Sequence, residues 1–162
     1  MTEAIDFSKF NFIDFFNEVD DVFKEFEDKN MPPECYGWRS WCVEKLLEKH
    51  SGGQLEWIRN GKGCDFFITD SERKRLEFKQ VKDACKKNIT PGIILKNFRG
   101  NSVKELEKTF DYLIVADIDR RTVLIFDYEY VKLKSVVCSA DIKAQLELSE
   151  AIQIKTPYDE II

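Results

Sequence analysis

The chain has 162 residues, 43% of them hydrophobic and 34% charged, with thirteen Phe and a formal net charge of −5. That length fits a single domain over 1–162 with a sizeable core, and the composition excludes an intrinsically disordered chain. The acidic balance excludes a broadly basic nucleic-acid coat, though not a local basic groove.

Five cysteines, Cys35, Cys42, Cys64, Cys85 and Cys138, make an odd set with no C-x-x-C pair, and His50 is the only histidine. No zinc pattern can be built from them, and free thiols in a reducing, cytoplasmic compartment are expected. The N-terminus "MTEAIDF" is acidic and lacks the apolar core of a signal peptide. No apolar run reaches membrane-spanning length, so no membrane partner is expected.

In chain order, an N-terminal helical segment (1–31) comes first. Its helix should run from Phe12 to Lys29, with Asn11 as N-cap, Asp14 three residues on, and Phe12, Phe16, Val19, Phe23 and Phe26 in one stripe. A second helix, from Pro33 to His50, carries two apolar arcs, Cys35/Trp38/Cys42/Leu46 and Tyr36/Val43/Leu47, with Glu44 at the edge of the second. Ser51-Gly52-Gly53 should end it. On this reading Trp38, Trp41 and Trp57 are mostly core residues, with a base-stacking tryptophan in a groove as the alternative.

Strands are expected at Gln54–Arg59, Asp65–Thr69, Arg75–Val81 and Ile93–Lys96. Ser102 with Glu105 signals a further helix, with Val103, Leu106 and Phe110 on its inner face. "YLIVAD" (112–117) reads as a central strand covered on both faces, paired with "TVLIFD" (122–127). Asp117 and Asp119 read as turn residues, and a short helix near Ala140–Leu146 and a strand "IQI" follow. The order predicts an α/β domain with a mixed central β-sheet flanked by helices on both faces.

The stretch "NGKGCDFFITDSERKRLEFKQVKD" (60–83) stands out. Residues i and i+2 of a strand share a face, so Glu77 and Lys79 point together while Leu76 and Phe78 point into a core. Asp65 begins the neighbouring strand and comes near Glu77 if the hairpin splays or twists. Two hard carboxylates hold Mg²⁺ while leaving positions for water and phosphate, and an adjacent ammonium can orient water or stabilise phosphoryl charge.

Asp65, eleven intervening residues and then "E-F-K" resemble the PD-(D/E)xK nuclease superfamily, of restriction-endonuclease-like fold. The resemblance covers about 33–118, the motif-bearing core, and Cys64 stands where the family usually has Pro. It implies Asp65, Glu77 and the backbone carbonyl of Phe78 as metal ligands, and Lys79 as the catalytic lysine. Glu44 would be the helix-borne glutamate of many members, both catalytic and a ligand. It further implies Mg²⁺ as cofactor, with Mn²⁺ able to substitute, and in-line hydrolysis leaving 5′-phosphate and 3′-hydroxyl ends. Lys82, Lys86, Lys87, Lys96 and Arg99, in the main basic stretch after the motif, are the nucleic-acid-binding candidates.

The expectation is a metal-dependent DNA endonuclease of restriction or phage defence, acting as a homodimer or as the cleavage subunit of a partner. An RNA endonuclease of related fold, a catalytically silent binding or regulatory protein, and an unrelated α/β domain stand beside it.

Overall fold

The computed structural model describes residues 5–59, 64–69, 73–81, 92–94, 108–118, 121–132, 136–138 and 152–153. Helix α1 spans Phe12–Asp28. The Asn11 side-chain oxygen accepts the Asp14 N–H at 3.1 Å, and its amide donates to the Asp14 carboxylate at 2.7 Å. That reciprocal cap fixes the start of the helix. Phe12, Phe15, Phe16 and Val19 are buried along one side. A 3-10 turn at Phe7–Lys9 precedes α1, and Ile5, Phe7 and Phe10 add to the same aromatic core. Three residues are too few to show a period, so the sequence carried no signal for that turn.

Helix α2 spans Tyr36–Lys49 after a 3-10 turn at Pro33–Cys35. It stops at Ser51–Gly53 as expected. Gly52 has φ +67°, and a Cβ there would lie 2.6 Å from the Lys9 carbonyl oxygen, so glycine alone fits. The two-arc reading of α2 is corrected. Val43 and Leu47 are buried, whereas Trp38, Trp41 and Cys42 are exposed. An amphipathic helix covers an arc of roughly 100°, and the Val43/Leu47 arc takes the place in the core. Of the three tryptophans expected in the core, only Trp57 packs against it.

Six strands form one mixed sheet in the order β1 (Leu55–Trp57), β2 (Phe66–Ile68), β3 (Arg75–Val81), β5 (Tyr112–Asp117), β6 (Thr122–Asp127), β8 (Ile152–Gln153). β3 and β5 are parallel; every other neighbouring pair is antiparallel. A separate two-stranded ladder joins β4 (Gly92–Ile94) to β7 (Val136–Cys138).

Alternation along β5 and β6 splits the core in two. Ile114, Ala116, Val123 and Ile125 join Leu76, Phe78, Phe66 and the residues of α1 and α2 on one face. Leu113, Val115, Leu124 and Phe126 join Phe110, and Tyr128 and Val131 of the one-turn helix α3 (Tyr128–Val131), on the other. The chain is thus α/β with a mixed sheet, and helical residues pack on both faces.

The expected helix from Ser102 lies mostly outside the described residues. Thr109 and Phe110 are described and not helical, although Phe110 is fully buried. The expected helix near Ala140–Leu146 lies outside them too. Asp117 is no solvated turn residue: it ends β5 and is 2% exposed. No helix among the described residues is long and apolar enough to cross a membrane.

Candidate active site

The pairing of β2 with β3 sets Phe66 opposite Leu76, so Asp65, the residue before it, lies beside the Leu76–Glu77 step. Proximity therefore comes from register. A local irregularity then aims the side chain. The Asp65 N–H donates to the Leu76 carbonyl at 2.9 Å, although Leu76 is already the partner of Phe66. Two residues of one strand thus oppose one of the other, the pattern of a β-bulge. Above this point β3 continues for five residues while its ladder with β2 has ended. The Asp65 carboxylate fills the place of the missing strand, its Oδ2 accepting the Phe78 N–H at 2.8 Å. A carboxylate that replaces a strand carbonyl lies in the plane of the sheet, within reach of groups from both faces.

Glu77 reaches it from one of those faces. Leu76 and Phe78 lie in the core beneath α1 and α2, so Glu77 and Lys79 point the other way. The Glu77 side chain is 6% exposed, and its Oε1 lies 2.8 Å from the Lys79 ammonium. Glu44 comes from α2, whose Val43 and Leu47 pack on the first face. Its Oε1 accepts the Trp57 indole N–H at 3.2 Å. The neighbouring turn is fixed by Glu48, whose carboxylate accepts the Trp57 backbone N–H.

The carboxyls of Glu44 and Glu77 both hydrogen-bond the Asp65 carboxyl. Burial, then the charge of Asp65, pushes Glu44 up to about 8; the hydrogen bond to Asp65 adds to this, while that from Trp57 opposes it. Burial and then Asp65 likewise push Glu77 up to about 7, against the pull of Lys79. Burial also raises Asp65, but the Phe78 N–H, the Lys79 charge and the hydrogen bonds of both glutamates pull it back. Burial first raises the pKa of each member of this acid trio, and the mutual charge of three carboxyls against one ammonium then adds to the rise at Glu44 and Glu77.

Among the described residues, no group of three or more His, Cys, Asp or Glu is placed so that it could hold a metal ion. The trio instead has the geometry of carboxyls sharing protons, which takes them into mutual contact.

Glu44, Asp65, Glu77 and Lys79, four residues singled out from the sequence, are thus brought together, with the Phe78 backbone among them. Lys82, Lys86, Lys87, Lys96 and Arg99 lie outside the described residues. Gln80, on the opposite face of β3 from Lys79, has a buried side-chain oxygen without a hydrogen-bond partner. His50 caps α2 and sets its Nε2 2.6 Å from Glu18. Trp57 is a site residue that sequence reasoning placed in the core; a polar indole N–H two residues into a half-buried strand was the available signal. A surface pocket of about 270 Å³, lined by Phe23, Met31, Tyr36 and Arg39 among others, holds none of these groups.

Compared with protein-family models, curated proteins and solved structures, the chain has no significant match in any of the three.

Proposed function

We propose that the protein is a divalent-metal-dependent DNA endonuclease with a restriction-endonuclease-like core, hydrolysing phosphodiesters at Asp65, Glu77, Lys79 and Glu44. The observation that carries this reading is the convergence of one buried carboxyl (Glu77), two half-buried ones (Glu44 and Asp65) and one ammonium from three separate elements, at the point where β2 leaves β3. Burying such a trio destabilises a fold, and strongly perturbed groups of this kind mark functional sites more often than structural ones.

The oxygen donors are of the type a hard cation takes, although as placed the three carboxyls form no metal-holding group. Asp65 and Glu77 offer carboxylate oxygens, strand geometry turns the Phe78 carbonyl to the same edge as its N–H, and Glu44 stands behind Asp65. Mg²⁺ held there, or Mn²⁺ in its place, supplies acidified water and offsets charge on the phosphate. The chain does the rest. The Asp65 carboxylate is anchored by a backbone N–H, so it does not swing during turnover. Lys79 is held on Glu77 at 2.8 Å; with a phosphate bound against that pair, its ammonium would orient water and stabilise the extra charge of the transition state.

The test is cleavage of supercoiled plasmid and of labelled DNA and RNA with Mg²⁺ or Mn²⁺, the protein alone and at dimer-forming concentration. Metal-dependent cutting by the wild type, abolished in Asp65→Asn, is expected. Cutting that persists at the wild-type rate in Asp65→Asn would remove the trio from the chemistry.

A further inference from the structure

The helix that supplies Glu44 also carries two large aromatic side chains that the core leaves uncovered. Trp38 is 59% and Trp41 is 52% exposed. Trp41 lies three residues before Glu44, about 4.5 Å along the helix axis, and Trp38 lies one turn further on. The third tryptophan, Trp57, donates its indole N–H to Glu44, so all three tryptophans of the chain gather at this corner. Gly37, four residues before Trp41, would meet nothing within 4 Å if it carried a Cβ. A glycine inside a helix costs about 1 kcal/mol relative to alanine. Here it relieves no internal clash and keeps the surface beside Trp41 low.

The direction of this surface is fixed by the fold. The Ser51 hydroxyl accepts the Leu55 N–H and the Glu48 carboxylate accepts the Trp57 N–H, so stepping forward along β1 goes with stepping back along α2, and the two run antiparallel. β1 and β3 each pair antiparallel to β2, so β3 runs with β1. Moving back along α2 from Glu44 to Trp41 therefore leads to the same end of the sheet as moving forward along β3, past the point where β2 stops pairing. Trp41 lies toward that end of the helix about 60° round the axis from Glu44, and Trp38 about 60° further round.

From this, and resting on the nuclease reading above, we infer that the site takes unpaired nucleotides, and that Trp41 and Trp38 stack on the bases next to the scissile phosphate. In a duplex the base faces are stacked on one another and out of reach of a side chain, whereas in a single strand each base offers a face to an indole. Stacking also suits an acidic chain, because it supplies affinity that does not depend on a basic coat.

The experiment titrates the full chain, in Ca²⁺, with a labelled single-stranded oligonucleotide of about 12 nucleotides and with its duplex. Fluorescence anisotropy and quenching of tryptophan emission are read together. Single-strand binding should be the tighter, with quenching. It should weaken roughly 5- to 150-fold in Trp41→Ala, less in Trp38→Ala, and be largely kept in Trp41→Phe. Duplex binding should be unchanged in all three. Because both indoles are exposed, the variants should keep the wild-type circular dichroism spectrum.

Equal single-strand affinity in wild type and Trp41→Ala overturns the inference, as does a wild type that prefers duplex. So does self-association that is lost in Trp38→Ala, which would assign this face to a second copy of the chain. Cleavage assays on the same proteins separate the two readings. Stacking without cleavage under any metal removes the nuclease and keeps the platform. Duplex cleavage indifferent to both indoles keeps the nuclease and removes the platform. No binding to any nucleic acid removes both.

Discussion

Glu18 on α1 and Glu44 on α2 are both glutamates on helices of the first face, and the fold treats them in opposite ways. Glu18 accepts the Lys49 ammonium at 2.8 Å and faces the His50 ring at 2.6 Å. Those hydrogen bonds, Lys49 first, hold its carboxyl below the usual glutamate range. Glu44 meets two other carboxyls, and burial with their charge pushes it up to about 8. Arg121, 7% exposed, follows the pattern of Glu18: its guanidinium is held by Asn17 at 3.0 Å and by Asp20. Where charge serves packing, this chain pairs it with the opposite charge. Where β2 parts from β3, it gathers like charge. The contrast supports a working role for the acid trio, because at Glu18 and at Arg121 the same fold sets charge against opposite charge.

The comparison breaks first at Lys79. If that residue acts on the phosphate, Lys79→Ala should fold, bind Mn²⁺ by calorimetry and bind DNA in Ca²⁺. Its single-turnover cleavage rate should nonetheless fall on the order of 10²–10³-fold. A cutting rate equal to that of the wild type would return the Glu77–Lys79 pair to the structural class of Glu18 and Lys49.

The two faces of β3 give the next contrast. Phe78, 5% exposed, meets Phe66 edge-on at 6.4 Å in the first core. Phe78→Ala should cost about 3–5 kcal/mol in a denaturant titration. Glu77→Gln should cost much less, and above neutral pH should stabilise the metal-free protein by removing a buried charge. Finding Glu77→Gln the more damaging of the two would show that the carboxylate holds the fold together.

Titration separates the two glutamate environments by sign. Glu44 and Glu77 have folded pKa values of about 8 and about 7, above the ordinary 4.5. Between about pH 4.5 and 8 the folded state therefore holds more protons than the unfolded one, and metal-free stability should fall as pH rises through that window, by on the order of a few kcal/mol. Glu18 is shifted down, so its contribution is present above its unfolded pKa and is lost as pH falls through its lower folded value. Thermal melts from pH 5 to 8.5 should thus show a falling Tm. Glu44→Gln should flatten the fall, and so should Mg²⁺ or Mn²⁺, which would replace the shared protons. A wild-type Tm that stays level across the window would mean that the trio is not buried together.

The smallest effect belongs to the paired corner. Lys49→Ala removes one exposed partner of Glu18 while His50 remains, so its Tm should stay close to that of the wild type at neutral pH. A loss approaching that of Phe78→Ala would reverse the ranking of the two corners.

Much of this was legible in the sequence because it is local. The Asn11–Asp14 cap, the Phe stripe of α1, the period-two alternation of "LEFKQV" and the two-sided apolar run "YLIVAD" each fix an element through neighbours a few residues apart, and each is found where it was expected. The spacing from Asp65 to Glu77 and Lys79 marked out the candidate site for the same reason: a hairpin carries its own register. Two things lay beyond that reach. Which arc of α2 is buried depends on what packs against the helix. Its apolar residues ran round two sides, and only the packed structure left Trp38 and Trp41 in solvent while burying Val43 and Leu47. The raised pKa values of Glu44 and Glu77 were also invisible, because burial and like charge brought from three elements shift them, and composition holds neither. Which residues alternate, cap and turn is set locally, by neighbours a few positions apart. The tertiary structure decided which of them share a dry space, because the free energy of a buried charge depends on everything within a few ångströms, whatever its distance along the chain.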